Sequence, residues 1–456
     1  MNGDADPRVA RRGPRATAAM TRDPGRRDPI AALLAGEWVD PDSGRTSGVE
    51  IAAIAIERSL RGQEADLVAS LALGPRLAVV SDAVTHEVLG ARIERVLAPL
   101  ARVDPVVLPR DPHADLATVE AVRTRSAHAD ALIAVGSGTI NDLAKYAAAR
   151  DGKPYAVFAT APSMNGYTSA NAAITVDGHK KTLPATLARG VFVDLAVLAA
   201  SPPRMIRAGL GDSLCRPTAQ VDWLLSHHLL GTGYRTAPFA LLEDDEPALL
   251  DAPEALLDRD LDAMRALART LVLSGLGMTL CGGSHPASQG EHLISHYLDM
   301  RAPAGGPANL HGEQVAVATM TMARIQETML DAPAPVFRAS TVDARALEDH
   351  FGREVGAACW RDFAPKRLDA AGAAALSERA ASTWEAMRRG AEAVRLPADR
   401  LASVMRRAGG PVTPADLGVD AVTWAGAVRH ARFLRDRYTF LDLADDAGML
   451  SPRLLA

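Results

Sequence analysis

From Arg76 to Asp194, short apolar runs alternate with longer helix-like stretches, and this alternation restricts the fold more than any other property of the chain. RLAVVSD (Arg76–Asp82) precedes THEVLGARIERVLAPL, VDPVVLP precedes PHADLATVEAVRTRS, DALIAVGSG precedes TINDLAKYAAAR, and YAVFATAP and VFVD complete the series. Short apolar strands joined by helices of a dozen or so residues build a mostly parallel sheet with helices on both faces. AITVDGHKKTLP reads as a hairpin turning at Asp177-Gly178. After Ser201-Pro202-Pro203 the strand pattern stops, and from Met205 onward Ala/Leu-rich segments repeat with a helical period, interrupted by loops such as 301–307. The expected architecture is an α/β dinucleotide-binding domain over 30–200 and an all-α domain over 201–456. The first 29 residues, with seven arginines and almost no large apolar side chain, predict a disordered basic tail.

Composition narrows the class. With 456 residues and 48% hydrophobic content the chain is long enough for two packed domains. A net charge of −5 and 4% aromatic residues speak against nucleic acid as a partner. No apolar run approaches the ~18 residues of a membrane span. Three scattered cysteines (Cys215, Cys281, Cys359) form neither a disulfide framework nor a CxxC zinc site, which fits a cytoplasmic enzyme.

Two groups of residues carry chemistry. Gly136-Ser137-Gly138 links an apolar strand to a helix, where backbone N–H groups can approach a phosphate and the helix N-terminus adds positive potential. The turn lacks the third glycine of the GxGxxG fingerprint. Thr160-Ala161-Pro162-Ser163 follows another strand, and Asp82 ends the first, where a carboxylate suits either a ribose hydroxyl or a plain turn. The second group is histidine-based. His292 and His296 stand four apart in QGEHLISHY and so share a helix face, and His311 opens the next helix in HGEQVAV. Asp212, read here as lying in a loop-like RAGLGDSLC, completes a set of one carboxylate and two imidazoles. That set leaves a tetrahedral divalent ion one open position, with a third histidine available for proton transfer.

At these residues the chain resembles a known family. VGSGTINDLAKY, TAPSMNGYTSANAAITVDGHKKTLPA, IRAGLGDSLCRPTAQVDWLL, GGSHPASQGEHLISHYLDM, LHGEQVAV and the closing RDRYTFLDLADDAGML together resemble the sn-glycerol-1-phosphate dehydrogenase family, within the iron-containing alcohol dehydrogenase and dehydroquinate synthase-like superfamily. The resemblance implies NAD or NADP in the interdomain cleft and one divalent metal, zinc in the first instance, nickel or iron in some members. It implies Asp212, His292 and His311 as metal ligands, with Asp212 and His296 also touching substrate as the catalytic pair. It places the cofactor phosphates on Ser137, Gly138, Thr139, Ile140 and Asn141, with further contacts from Asp82, Thr160, Ala161, Pro162, Ser163 and Ser169. A homo-oligomer is expected.

Three departures bear on substrate. Asn165 stands where the family has a substrate-contacting aspartate, His285 where it usually has the arginine of SRPAS, and Arg216 where it has the lysine of GDxxxK. The implied reaction is hydride transfer between a nicotinamide and a small phosphorylated ketone or polyol, dihydroxyacetone phosphate and sn-glycerol 1-phosphate above all. A carboxylate at Asp82 leans the cofactor toward NAD. The alternatives are a dehydrogenase of an unphosphorylated polyol or specialised alcohol, a dehydroquinate synthase-like lyase, and a degenerate cofactor-binding protein.

Overall fold

The computed structural model describes residues 27–176, 179–301, 309–451 and Leu454. The N-terminal part is built on a six-stranded sheet in the order Ala53–Glu57, Gly190–Asp194, Tyr155–Ala159, Ala131–Gly136, Arg76–Asp82, Arg102–Leu108. Every neighbouring pair runs parallel. Alternate side chains of each strand enter separate cores: Leu77, Val79, Ile133 and Phe158 pack on one face, while Ala78, Val80, Ala134 and Val157 pack on the other. A sheet buried on both faces explains why its strands read as unbroken apolar runs rather than as alternating ones.

Five of the six strands lie where the sequence pattern puts them. The sixth, AIAIE (Ala53–Glu57), is an edge strand that precedes the recognisable alternation, beside a small antiparallel pair, Trp38–Val39 with Thr46–Ser47. The predicted hairpin forms as Asn171–Val176 against His179–Pro184, its Asp177-Gly178 turn lying outside the described residues. Most of the predicted tail also lies outside them. Its last two residues do not behave as tail: Asp28 caps the helix Pro29–Leu34, accepting from the Ile30 and Ala31 amides, and pairs with Arg269 at 2.8 Å.

Beyond Pro203 the elements are helical. Three of them, Pro203–Ser213, Leu261–Cys281 and His311–Leu330, place Leu210, Leu271 and Ala316 in the same continuous core as the sheet. Farther out, Leu293, Tyr297, Trp384, Trp424 and Phe440 belong to a separate helical core. Among the described residues no helix is long and apolar enough to cross a membrane.

Candidate active site

The predicted cofactor segments leave the C-terminal ends of three adjacent strands, the edge where open α/β sheets bind ligands. Ser137 takes an extended conformation as N-cap of the helix Gly138–Asp151 and makes no side-chain capping bond, so its hydroxyl is not spent on the helix. Gly136 is required by its neighbour: a Cβ there would stand 2.4 Å from Ile140 Cβ. Ile140 is itself fully buried, so only its backbone can face a ligand. Asn141 is also fully buried, its amide donating to Asp142 Oδ1 at 2.9 Å and its Oδ1 left without a partner.

Asp82 caps its own following turn, Oδ1 accepting from the amides of Val84 and Thr85 at 2.8 Å each. Thr160 N–H donates to Gly136 O at 3.1 Å, joining two of the three segments. Ala161 and Pro162 are buried, Ala161 O accepting from Tyr167 Oη at 2.7 Å, while Ser163 is partly exposed. Ser169 is spent on its own loop, its hydroxyl donating to Gly166 O and Asn171 O. Those carbonyls also receive Lys145 Nζ, at 2.6 and 2.9 Å. Burial drops the Lys145 ammonium to about 8, against the opposing pull of Asp142. This fully buried lysine fixes the loop that bears Asn165, and the sequence reading passed over it.

Asp212 does not lie in a loop. It sits in the last turn of the helix Pro203–Ser213, and the glycines taken as loop formers are points of close packing. A Cβ on Gly209 would stand 1.6 Å from Pro162 O, and one on Gly211 would stand 2.2 Å from Gly312 O. Stripped of side chains, this helix can cross His311–Leu330 closely, which brings Asp212 to His311. His292 lies on the helix Gly290–Arg301, and with Asp212 and His311 it offers ligand atoms all within 4.8 Å of one another.

The surrounding bonds orient each donor. His292 Nδ1 bonds Glu291 Oε1 at 3.0 Å, which leaves Nε2 facing Asp212 Oδ1 at 3.5 Å. Ser295 Oγ donates to Gln314 Oε1 at 2.7 Å, so His311 Nδ1–H donates to Ser295 Oγ at 3.1 Å and His311 Nε2 keeps its lone pair. Asp212 Oδ2 accepts the Asn165 amide, while Oδ1 is buried without any hydrogen-bond partner. An orphaned carboxylate oxygen beside two imidazole nitrogens is a donor set that a divalent cation fits. Burial opposes charge on His292, yet the neighbouring Asp212 and Glu291 carboxylates outweigh this and raise its pKa.

His296 lies beside the set, its ring centroid 6.3 Å from that of His292 and 6.1 Å from that of His311. Among the described residues its ring nitrogens make no hydrogen bond. Burial, then the charges of Arg435 and Lys180, hold it well below the usual histidine range. Cys215 and Glu291 also approach His292, but burial, followed by the Glu291 and Asp212 charges, pushes the Cys215 thiol well up. Sequence reasoning missed Glu291, Ser295 and Lys145; a carboxylate directly before a candidate histidine ligand is the signal that was there to read.

The three departures have distinct surroundings. Asn165 adjoins Asp212 through its backbone, and its side-chain amide donates to Ser274 Oγ at 3.3 Å. Arg216 is held by Glu246 through two bonds of 2.8 and 2.6 Å and by Gln220 at 2.8 Å. His285 stacks on Trp223, and burial, then Arg437, lowers its imidazole to about 4.

Comparison with known proteins bears on family and fold. Residues 55–202 match the family model described as iron-containing alcohol dehydrogenase. An NAD(P)+ glycerol-1-phosphate dehydrogenase of Bacillus licheniformis is 31% identical over 408 residues, spanning 88% of this chain and 90% of that protein. Its counterpart in Bacillus subtilis is 30% identical over 378 residues, spanning 81% and 85%. Among solved structures, a glycerol dehydrogenase from Schizosaccharomyces pombe shares the fold, with a TM-score of 0.59 at 17% identity over 89% of this chain and 87% of that one.

Proposed function

The chain belongs to the iron-containing alcohol dehydrogenase family, alongside the glycerol-1-phosphate dehydrogenases, and we propose that it interconverts dihydroxyacetone phosphate and sn-glycerol 1-phosphate by NAD(P)-linked hydride transfer. The observation that carries this reading is the convergence of Asp212, His292 and His311, with Asp212 Oδ1 unpartnered, beside the loop that bears Asn165.

In this reading Asp212, His292 and His311 hold the divalent ion, zinc in the first instance with nickel or iron as alternatives, and Ser137 to Asn141 cradle the dinucleotide phosphates. When bound, the ion supplies Lewis acidity to a ketone oxygen and the nicotinamide supplies or takes the hydride. The protein's own groups supply orientation. The Asn165 amide is placed to hydrogen-bond a substrate hydroxyl, and it does so without the charge or the proton affinity of an aspartate. His296, with no hydrogen bond from the described residues, is placed to pass a proton to or from the substrate oxygen. Lys145 and Ser169 keep the Asn165 loop in register with Asp212, so that the reacting groups meet in one geometry.

The test is NADH oxidation by the metal-reconstituted protein against dihydroxyacetone phosphate, free dihydroxyacetone and other small ketones. Turnover that requires the phosphorylated ketone supports the proposal, and its net NADH consumption excludes a lyase that returns its nicotinamide unchanged. Reduction of free ketones with no response to dihydroxyacetone phosphate overturns it in favour of an unphosphorylated polyol substrate.

A further inference from the structure

Two arginines just beyond the helical turn Ala431–Leu434 lack the partners their charge calls for. Among the described residues, neither Arg435 nor Arg437 has a carboxylate within ion-pair distance. Their N–H groups go to neutral oxygens instead. Arg435 donates to Thr182 Oγ1 at 2.7 Å and to Ser288 Oγ at 3.5 Å, and Arg437 donates to Ser284 Oγ at 2.9 Å and to Ser288 O.

Two acids of the same C-terminal segment are committed elsewhere. Asp442 and Asp446 pair with the buried Arg432 at 3.2 and 2.7 Å, and Asp442 also pairs with Lys366 at 3.0 Å. Lys366 Nζ in turn holds the Arg432 and Arg437 carbonyls, so the segment between them is fixed at both ends. Burial lowers Arg435, and burial together with the like charge of Arg435 lowers Arg437 to about 9. Asp436 and Asp362 act on Arg435, and Asp436 and Glu291 on Arg437, only at longer range. Two half-buried guanidinium groups are thus held close together without an ion pair, an arrangement that a bound anion would complete.

Their position says what the anion belongs to. The Arg435 charge, with that of Lys180, reaches both His296 and His311. The hydroxyls beside it come from the hairpin (Thr182) and from the approach to the His292 helix (Ser284, Ser288), so three separate parts of the chain converge there. His285, where the resembled family has an arginine, is neutral and stacked on Trp223, and it adds no charge beside Arg437.

We propose that Arg435 and Arg437, with the Thr182 and Ser288 hydroxyls, form the subsite for the substrate's phosphate group. Planar guanidinium forks suit a tetrahedral oxyanion, and hydroxyls at their edges add neutral hydrogen bonds to it. The inference rests on the dehydrogenase reading above and deepens it: the residues fit a phosphorylated ketone or polyol, and the positive charge missing at His285 is supplied from the C-terminal segment.

Calorimetric titration of the full chain with inorganic phosphate tests the subsite, with saturating NADH present to occupy the cofactor's own phosphate sites. The wild type is expected to bind phosphate, Arg435→Gln and Arg437→Gln each to weaken it by about tenfold or more, and Arg435→Lys to recover part of the loss. In parallel, the ratio of kcat/KM for dihydroxyacetone phosphate over free dihydroxyacetone should fall in both glutamine variants. Where a variant does not fold, phenylglyoxal modification of the wild type decides: phosphate should protect Arg435 and Arg437, read by peptide mass spectrometry. Equal modification with and without phosphate, or phosphate affinity indifferent to both arginines, overturns the subsite. Phosphate binding that follows the arginines in a protein that fails to reduce dihydroxyacetone phosphate leaves the subsite standing and brings down the glycerol-phosphate reading alone.

Discussion

The backbone N–H of Asn165 donates to Oδ2 of Asp212 at 2.9 Å, tying the loop that leaves the sheet to the candidate metal carboxylate. Because this bond uses one oxygen and leaves Oδ1 unpartnered, the carboxylate is aimed rather than merely present. Asp212→Asn keeps the shape but loses the anionic donor, and His292→Ala removes an imidazole. Both are expected to purify with little bound divalent metal and to lose activity by several orders of magnitude. Elemental analysis of the purified variants checks this, and full metal content in either would remove the site assignment.

Glu291 is fully buried, its Oε1 bonding His292 Nδ1 at 3.0 Å and accepting the Gln289 backbone N–H at 2.8 Å. It is a positioning residue: its bond fixes the tautomer that leaves His292 Nε2 available. Glu291→Gln should lower metal affinity by about 10–100-fold, the usual cost of losing an outer partner of a ligating histidine. Competition with a chelator measures this directly, and an unchanged affinity would show that His292 is oriented by packing alone.

The parts of this fold that were legible in the sequence are those written in local pattern. Leu77 to Val80 and Leu132 to Val135 read as strands because both faces of the sheet are buried, which leaves no polar interruption. Ala53–Glu57 was missed because it pairs with Gly190–Asp194, more than a hundred residues away, and has no neighbouring repeat to mark it. The histidine spacing survives folding because His292 and His296 share a helix. The helical setting of Asp212 does not follow from its neighbours, since Gly209 and Gly211 look like loop residues until Pro162 and Gly312 are seen against them. Ser295 and Arg435 act through partners on other elements, His311 and Thr182 among them, and such partners leave no periodic trace.

Gly312 shows how little room that crossing leaves. A Cβ at this position would stand 1.9 Å from Ala208 O, a backbone atom that cannot rotate away. Gly312→Ala should therefore push apart the helices that carry Asp212 and His311. The expected cost is about 1–3 kcal/mol or more in stability, with metal affinity lost as well. Denaturant unfolding and chelator competition on the same variant check both parts. An alanine tolerated without loss of either would mean that the crossing relaxes freely.

His350, which packs on Tyr297 of the helix that carries His292 and His296, should make the fold acid-sensitive. Its ring stacks on His430 at 3.8 Å between centroids, and its Nε2 accepts from Arg301 Nη2 at 3.1 Å, a bond that requires an unprotonated nitrogen. Burial, then His430 and Arg301, lowers the His350 pKa from 6.5 to about 4. Between these values the unfolded chain binds a proton that the folded chain refuses, so stability rises with pH across the interval. The His350 contribution is present in full above about pH 6.5 and is lost progressively as the pH falls toward 4. Replacement by asparagine, which keeps an acceptor for Arg301 but cannot titrate, should flatten the dependence of Tm on pH over this range. Thermal melts of both proteins from pH 7.5 downward supply the measurement, and parallel slopes would assign the acid sensitivity to other groups.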